Sequence, residues 1–368
     1  MEFSVVVLSG DGVGPEVTAE AVKVLKAIGD KFHHHFTFRD AMIGASAFEK
    51  VGEALPKETV ELCKKSDAIL FGAVGELKYE VPGLKERPES GYGFIRLRKE
   101  MGFFANVRPV KLFPSLISTS HLKPEVVGNV DFIIVRELTG GIYFGEPKEL
   151  VRLPNGRSAV DTMRYSEDEI RRIVRVGFEL ARVRRKKLTS VDKFQILKCS
   201  DLWREVAIEV ASEYPDVEIE HAHVDYCAMS FIQRPGDFDV IVTENLFGDI
   251  LSDEASMLAG SLGMMPSASL AGIPCGGNKL VGLYEPIHGS APRRAGLNMI
   301  NPIATILSGA MMLRYSFGLT QEAQTIEDTV DQVLKDGYRT YDIMSDGMKK
   351  LGTREMGDLI ANRILQDD

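Results

Sequence analysis

Short runs of β-branched and apolar residues alternate along the chain with longer stretches in which apolar residues recur every three or four positions. The short runs are apolar on both faces, which predicts buried, largely parallel strands. The longer stretches predict the helices between them, so the fold class expected is α/β. Strands are expected at 4–8, 68–71, 132–136, 187–192, 218–224 and 240–243. A helix over 15–28 begins with Pro15 in its first turn and sets Val17, Ala21, Val24, Leu25 and Ile28 on one face. A second, over 166–185, opens on the capping box Ser166-x-x-Glu169 and continues with Ile170, Val174, Phe178 and Ala181.

The stretch 143–162 breaks this rhythm. Gly145, Pro147, Pro154 and Asn155-Gly156 predict a turn-rich hairpin that leaves the main body, of the kind that clasps a partner subunit. Internal repeats, low-complexity tracts and long linkers are missing from the sequence, so two domains, if present, are intimately joined and a discontinuous one is plausible.

At 368 residues the chain has the length of two or three domains and needs no disulfide or metal staple. Cys63, Cys199, Cys227 and Cys275 lie far apart without a C-x-x-C pair, which fits reduced thiols. The longest apolar stretches, such as 303–312, fall well short of the ~20 residues of a bilayer span. The first residues form a Val-rich run with neither a basic start nor a small-residue cleavage site, so a cytoplasmic protein without membrane contact is expected. With 53 acidic against 44 basic side chains and a formal charge of −9, a nucleic-acid binder is not expected. The basic cluster Arg182, Arg184, Arg185, Lys186, Lys187 reads as the solvated end of a helix, where cations are favoured.

Gly10-Asp11-Gly12-Val13-Gly14-Pro15 follows a strand and precedes a helix, but its spacing is not the G-x-G-x-x-G of a dinucleotide fingerprint. A tight structural turn is expected there. Asp249 and Asp253 stand one helical turn apart and share a face, an arrangement that a hard divalent cation would neutralise and that Asp225 could complete with a third oxygen. The bland alternative is a solvated helix edge. His221 and His223 alternate with Asp225 on one strand face, but imidazole does not suit an all-oxygen site, and His33-His34-His35 reads as surface sequence. Arg98, Arg108 and Arg136 sit among apolar neighbours, and guanidinium forks bind carboxylates bidentately, so the three together fit a dicarboxylate substrate. Lys193 closes an apolar run, where it is either a base or the structural partner of Asp192.

Four long motifs carry a resemblance that runs through essentially the whole chain. They are residues 135–145 (Val-Arg-Glu-Leu-Thr-Gly-Gly-Ile-Tyr-Phe-Gly), 190–193 (Ser-Val-Asp-Lys), 245–253 (Asn-Leu-Phe-Gly-Asp-Ile-Leu-Ser-Asp) and 288–292 (His-Gly-Ser-Ala-Pro). Together they resemble the isopropylmalate dehydrogenases of the β-decarboxylating dehydrogenase superfamily, which also holds isocitrate and homoisocitrate dehydrogenases. The resemblance implies a non-Rossmann fold of two α/β domains around a central mixed sheet. The first domain would comprise 1–103 plus 260–368 and the second 104–259, with the arm at about 143–162. It also implies a homodimer whose active sites are shared between subunits.

By that likeness Arg98, Arg108 and Arg136 hold the malate carboxylates, with Phe94 and Ile95 beside the 3-substituent. Asp249 and Asp253 with the partner subunit's Asp225 hold Mg²⁺ or Mn²⁺, and Asp225 also faces the substrate. Lys193, also from the partner, takes the C2 hydroxyl proton, and Tyr143 protonates the enol carbon. Glu89, Gln195, Asn245, His288, Gly289, Ser290, Ala291 and Asn301 face the dinucleotide. The implied activity is the oxidative decarboxylation of 3-isopropylmalate in leucine biosynthesis.

The chain departs from the family at specific places. Phe194-Gln195 replaces the Ala-Asn that normally follows the lysine, and Gly75-Glu76-Leu77-Lys78-Tyr79 replaces Gly-Gly-Pro-Lys-Trp. Before Arg98 it has Gly91-Tyr92-Gly93-Phe94-Ile95, slightly longer than in relatives and suited to an apolar substituent rather than a third carboxylate. Another 3-substituted malate therefore stays open, as do isocitrate and homoisocitrate. After His-Gly-Ser-Ala-Pro, NAD-dependent members have an Asp, but this chain has Arg293-Arg294, with Tyr341 and Arg234 at positions where NADP-dependent relatives carry phosphate ligands. NADP is therefore expected over NAD. A catalytically silent regulatory subunit is the non-enzyme alternative, disfavoured because Tyr143, Lys193, Asp225, Asp249 and Asp253 are all retained.

Overall fold

A computed structural model of the chain describes residues 1–81, 84, 86–274 and 280–366. Ten strands form one continuous mixed sheet: β1 (Glu2–Gly10), β2 (His35–Asp40), β3 (Ala68–Ala73), β4 (Ala105–Lys111), β5 (Asp131–Glu137), β8 (Lys187–Asp192), β9 (Glu218–His223), β10 (Val240–Thr243), β11 (Pro266–Leu270) and β12 (Gly282–Pro286). Their order is β2-β1-β3-β12-β11-β4-β5-β10-β8-β9. Strands drawn from 1–103 and 260–286 fill one end and those from 104–259 the other. The two sets join through the antiparallel pairing of β11 with β4, where Ala268 lies opposite Val107.

The flanking helices follow from the sequence periodicity. Gly14–Phe32 buries Val17, Ala21, Val24, Leu25 and Ile28 and ends on His33 in the left-handed conformation. Ile303–Tyr315 is buried along almost its whole length, as expected of a helix lacking a polar face. Glu167–Arg182 is capped by Ser166, whose amide donates to Glu169 Oε2 at 2.8 Å while its hydroxyl accepts from the Glu169 amide. Among the described residues no helix is long and apolar enough to cross a membrane.

On the 104–259 side β5, β10, β8 and β9 run parallel. Their carboxyl ends therefore open on one side of the sheet, the side on which α/β sheets place their sites. Those ends deliver Arg136, Glu244, Asp192-Lys193 and the start of the helix Val224–Gln233. Val224 belongs to that helix and not to the strand expected over 218–224. The hairpin expected within 143–162 is β6 (Gly145–Leu153) paired with β7 (Gly156–Thr162), and almost every residue of it is exposed.

The first glycine cluster is a turn. Gly10 and Gly12 have φ of +71° and +57°, and a Cβ on Gly10 would stand 2.0 Å from the Ala73 carbonyl oxygen. The buried Asp11 between them accepts hydrogen bonds from the amides of Ala45, Ser46 and Gly75 at 2.8 to 2.9 Å. The basic cluster is tied down more firmly than a solvated helix end. Arg182 pairs with Asp216, Arg184 with Asp131 and Asp239, and Lys187 with Glu220. Cys63, Cys199 and Cys227 are free thiols, and Cys275 lies outside the described residues.

Candidate active site

Arg136 is the penultimate residue of β5, Arg108 lies on neighbouring β4, and Arg98 lies on the short helix Phe94–Glu100. All three guanidinium groups are buried and line one cleft of about 670 Å³. Arg98 donates to Glu285 at 2.6 Å, Arg108 to Ser252 Oγ at 2.5 Å, and Arg136 to Asn245 Oδ1 at 2.8 and 3.0 Å. Arg136 also pairs with Asp249, and Arg108 lies 3.9 Å from both Asp249 and Asp253.

Cationic charge is in excess at this floor. Burial, opposed by Glu285 and reinforced by Arg136, lowers the Arg98 guanidinium; burial and Arg136 lower that of Arg108 to about 10. The buried Nε atoms of Arg98 and Arg108 have no hydrogen-bond partner among the described residues. Unpaired donors in a buried cationic floor are what an incoming carboxylate would satisfy.

The helix Asn245–Ser256 is capped by Glu244, which accepts from the amides of Phe247 and Leu246 at 2.7 and 3.0 Å. A Cβ on Gly248 would come within 2.6 Å of Arg136 Cγ, so glycine lets this helix lie against the arginine. The helix thereby brings Asp249 into the cleft, where Tyr143 donates to its Oδ2 at 2.6 Å. Burial pushes Asp249 up, but Arg136, the Tyr143 hydrogen bond and Arg108 outweigh it and hold the carboxyl below its ordinary range. Asp253, largely exposed one turn on, is shifted upward by burial, with Asp249 adding to it and Arg108 opposing. Burial, then the Asp249 hydrogen bond and charge, push the Tyr143 phenol up to about 12.

Apolar groups make up much of the remaining wall, with Lys148 also lining the cleft. Phe94 stacks on Phe71 with ring centroids 4.4 Å apart, and the Arg98 guanidinium lies 4.0 Å from the centre of the Phe94 ring. Phe94 thus supports Arg98, while Ile95, Tyr92, Val74 and Phe144 face the space above it. Tyr92, at φ +52° between two left-handed glycines, donates from its hydroxyl to the Glu76 carbonyl at 3.3 Å.

Through His288 and Gly289 the cleft adjoins a second pocket of about 390 Å³, also lined by Ala291, Arg294, Asn301 and Tyr341. Asn301 is buried and donates to Asp342 at 3.1 Å while accepting from the Ile303 amide. Arg294 hydrogen-bonds the Tyr341 hydroxyl and its guanidinium carbon lies 5.0 Å from that ring centre. His288 is driven toward its neutral form by burial, and its Nε2 is buried without a partner among the described residues.

Other expected site residues stand apart from these walls. Lys193 Nζ pairs with Asp225 at 2.6 Å, not with Asp192, and that hydrogen bond holds Asp225 below its ordinary range. Neither lines the cleft of its own chain, and nor does Asp253. Arg234 hydrogen-bonds Tyr226 beyond the end of the helix Val224–Gln233, Arg293 and Gln195 are exposed, and Glu89 is held by Arg96 at 2.9 Å. Ser290 is buried, and its carbonyl accepts from the Val13 amide at 2.8 Å. Glu285 and Ser252 are the residues that sequence reasoning missed. Ser252 lay inside the 245–253 motif, whereas nothing around Glu285 marks it.

The donor set around Asp249 and Asp253 is all oxygen and suits a hard divalent cation. Among the described residues of one chain no three His, Cys, Asp or Glu side chains cluster to hold one.

Residues 4–360 match the isocitrate/isopropylmalate dehydrogenase family. A 3-isopropylmalate dehydrogenase of Dehalococcoides mccartyi is 58% identical over 99% of this chain and 100% of its own length. That of Aquifex aeolicus is 52% identical over 99% and 97%. An isocitrate dehydrogenase structure from Methylococcus capsulatus superposes with a TM-score of 0.86 at 34% identity, covering 99% of this chain and 100% of that one. The chain belongs to the isocitrate/isopropylmalate dehydrogenase family.

Proposed function

We propose that the chain is a 3-isopropylmalate dehydrogenase that oxidises and decarboxylates its substrate in leucine biosynthesis. The observation that carries this is the cleft itself: three buried arginines, two of them (Arg98 and Arg108) with unpaired Nε–H groups for carboxylates, beneath apolar side chains of Ile95, Val74 and Phe144 for the 3-substituent. Isocitrate would bring a third carboxylate against those side chains.

In this reading Arg98, Arg108 and Arg136 bind and orient the malate carboxylates. Asp249 and Asp253, with the partner subunit's Asp225, would hold Mg²⁺ or Mn²⁺, which when bound stabilises an enolate as a Lewis acid. NADP, held at Arg294 and Tyr341, would accept the C2 hydride, with NAD as the alternative. Lys193 of the second subunit takes the C2 hydroxyl proton, the carboxylate on C3 leaves as CO₂, and Tyr143 returns a proton to C3.

The exposed apolar residues beside these carboxylates support a homodimer. Ile250 on the helix Asn245–Ser256 and Met257 at its C-terminal cap, 58% and 51% exposed, lie on either side of Asp253. Tyr226, Met229 and Ile232 stand exposed on the helix Val224–Gln233, which carries Asp225 in its first turn. Large exposed apolar side chains on these neighbouring helices support the reading of a subunit interface, and the β6–β7 hairpin would clasp the partner. The two ends of the sheet are read as two domains, 1–103 plus 260–368 and 104–259.

The test is the initial rate of nicotinamide reduction with Mg²⁺, crossing 3-isopropylmalate and isocitrate with NADP and NAD. Turnover of isopropylmalate with NADP ahead is expected. Isocitrate as the better substrate would overturn the substrate reading, and NAD ahead would overturn the cofactor reading alone.

A further inference from the structure

The residue after Lys193 is a phenylalanine whose ring packs against an arginine. Phe194 lies beneath the Arg204 guanidinium, with Cζ 4.3 Å from the ring centre. The same guanidinium forks onto the buried Asp192, Nε to Oδ2 at 2.9 Å and Nη2 to Oδ1 at 2.7 Å. Oδ1 also accepts from the Phe194 amide at 2.9 Å. One side chain, rooted in the helix Lys198–Ala211, therefore grips the residue before the lysine by a charge-assisted fork and the residue after it by its ring face. The lysine amide is fixed as well, donating to Ser200 Oγ at 3.0 Å, and the Gln195 amide donates to Asp201 at 2.9 Å.

We propose that Arg204, through Asp192 and Phe194, is a positioning residue that holds Lys193 in register for proton abstraction, and that Phe194 is part of this clamp and not a wall of the substrate site. This rests on the role given above to Lys193. The argument is geometric. The backbone that carries Lys193 sets the point from which its Nζ reaches, and small displacements of a reacting group are costly in rate. Asp192 is 1% exposed, and its side-chain hydrogen bonds among the described residues serve this bracket. An alanine in place of Phe194 would leave the face of Arg204 without the ring, whereas the Asp192 fork alone would still hold the residue before the lysine.

The experiment compares the purified full-length protein with Phe194→Ala, Phe194→Tyr and Arg204→Lys, measuring steady-state kinetics on 3-isopropylmalate and hydrogen–deuterium exchange of the 192–197 backbone. Phe194→Ala and Arg204→Lys are expected to lower kcat about tenfold with KM within about twofold of wild type, since lysine keeps the charge but not the fork. Both should speed exchange at 193–195, and Phe194→Tyr should restore both readouts. A raised KM or altered substrate preference in Phe194→Ala at unchanged kcat would show that the ring lines the pocket and would overturn the proposal. So would unchanged exchange. If the wild-type protein turned over no 3-substituted malate, the function proposed above would fall, while the exchange data would still decide whether the clamp exists.

Discussion

The phenol of Tyr143 donates a hydrogen bond to Oδ2 of Asp249 at 2.6 Å, while Arg136 pairs with the other oxygen of the same carboxylate. The pair sets the character of both groups. Asp249 stays ionised against its own burial, and Tyr143 keeps its proton through the neutral range, which suits a phenol that donates rather than abstracts. Removing the hydroxyl leaves the arginine floor intact. Tyr143→Phe should therefore lower kcat by roughly 10² to 10⁴ with the KM for isopropylmalate little changed, as read from saturation curves at fixed NADP and Mg²⁺. A rise in KM without loss of kcat would make Tyr143 a binding residue only.

Lys193 and Asp225 pair with each other outside the cleft of their own chain, and Asp253 sits in an exposed apolar stripe. Both placements fit the proposal of a site completed across a two-fold axis. It predicts complementation between inactive variants. When Tyr143→Phe and Lys193→Met chains are unfolded together and refolded at equal amounts, half the dimers are hybrid and each hybrid holds one intact site, so activity should return to about a quarter of wild type. No recovery, with hybrids verified by mass spectrometry, would mean that each subunit works with its own lysine.

Arg294 reaches Tyr341 across the second pocket, and their polar atoms are within hydrogen-bond contact. A guanidinium there offers charge-assisted hydrogen bonds to a phosphate and none of the carboxylate acceptors that ribose hydroxyls use. Arg294→Ala should raise the KM for NADP about tenfold or more and leave that for NAD within about threefold. The double change Arg293→Asp with Arg294→Ile should reverse the preference. Equal effects on the two dinucleotides would show that Arg294 does not meet the 2′-phosphate.

The legible and illegible parts of this molecule divide by the kind of signal involved. Strand β8 was expected and found at 187–192 because its apolar run ends sharply at Asp192-Lys193, and the Ser166 cap was readable because both of its members are local. Strands β4, β11 and β12 carried no such signal: Ala105–Lys111 contains Arg108 and Pro109, Pro266–Leu270 has two serines, and Gly282–Pro286 has Gly, Glu and Pro. They form the middle of the sheet, where neighbours compensate for low strand propensity. Asp249, Tyr143 and the arginines were nameable from motifs and the resemblance. The hold of Glu285 on Arg98 spans 187 residues of chain, and no local pattern encodes it.

Gln195 marks a cost of the altered sequence after the lysine. Its φ is +67°, in the left-handed region, where a side chain with a Cβ is strained and asparagine is tolerated better than glutamine. Its amide is already committed to Asp201, so the backbone cannot relax without losing that bond. Gln195→Gly should stabilise the fold by about 1 kcal/mol, set against the greater freedom of glycine in the unfolded chain, and Gln195→Asn by somewhat less. Urea unfolding of the three proteins at one protein concentration would read this directly as a shift in midpoint at constant slope. Destabilisation by both substitutions would mean that the glutamine side chain makes contacts, across the subunit interface or to the dinucleotide, that outweigh the strain.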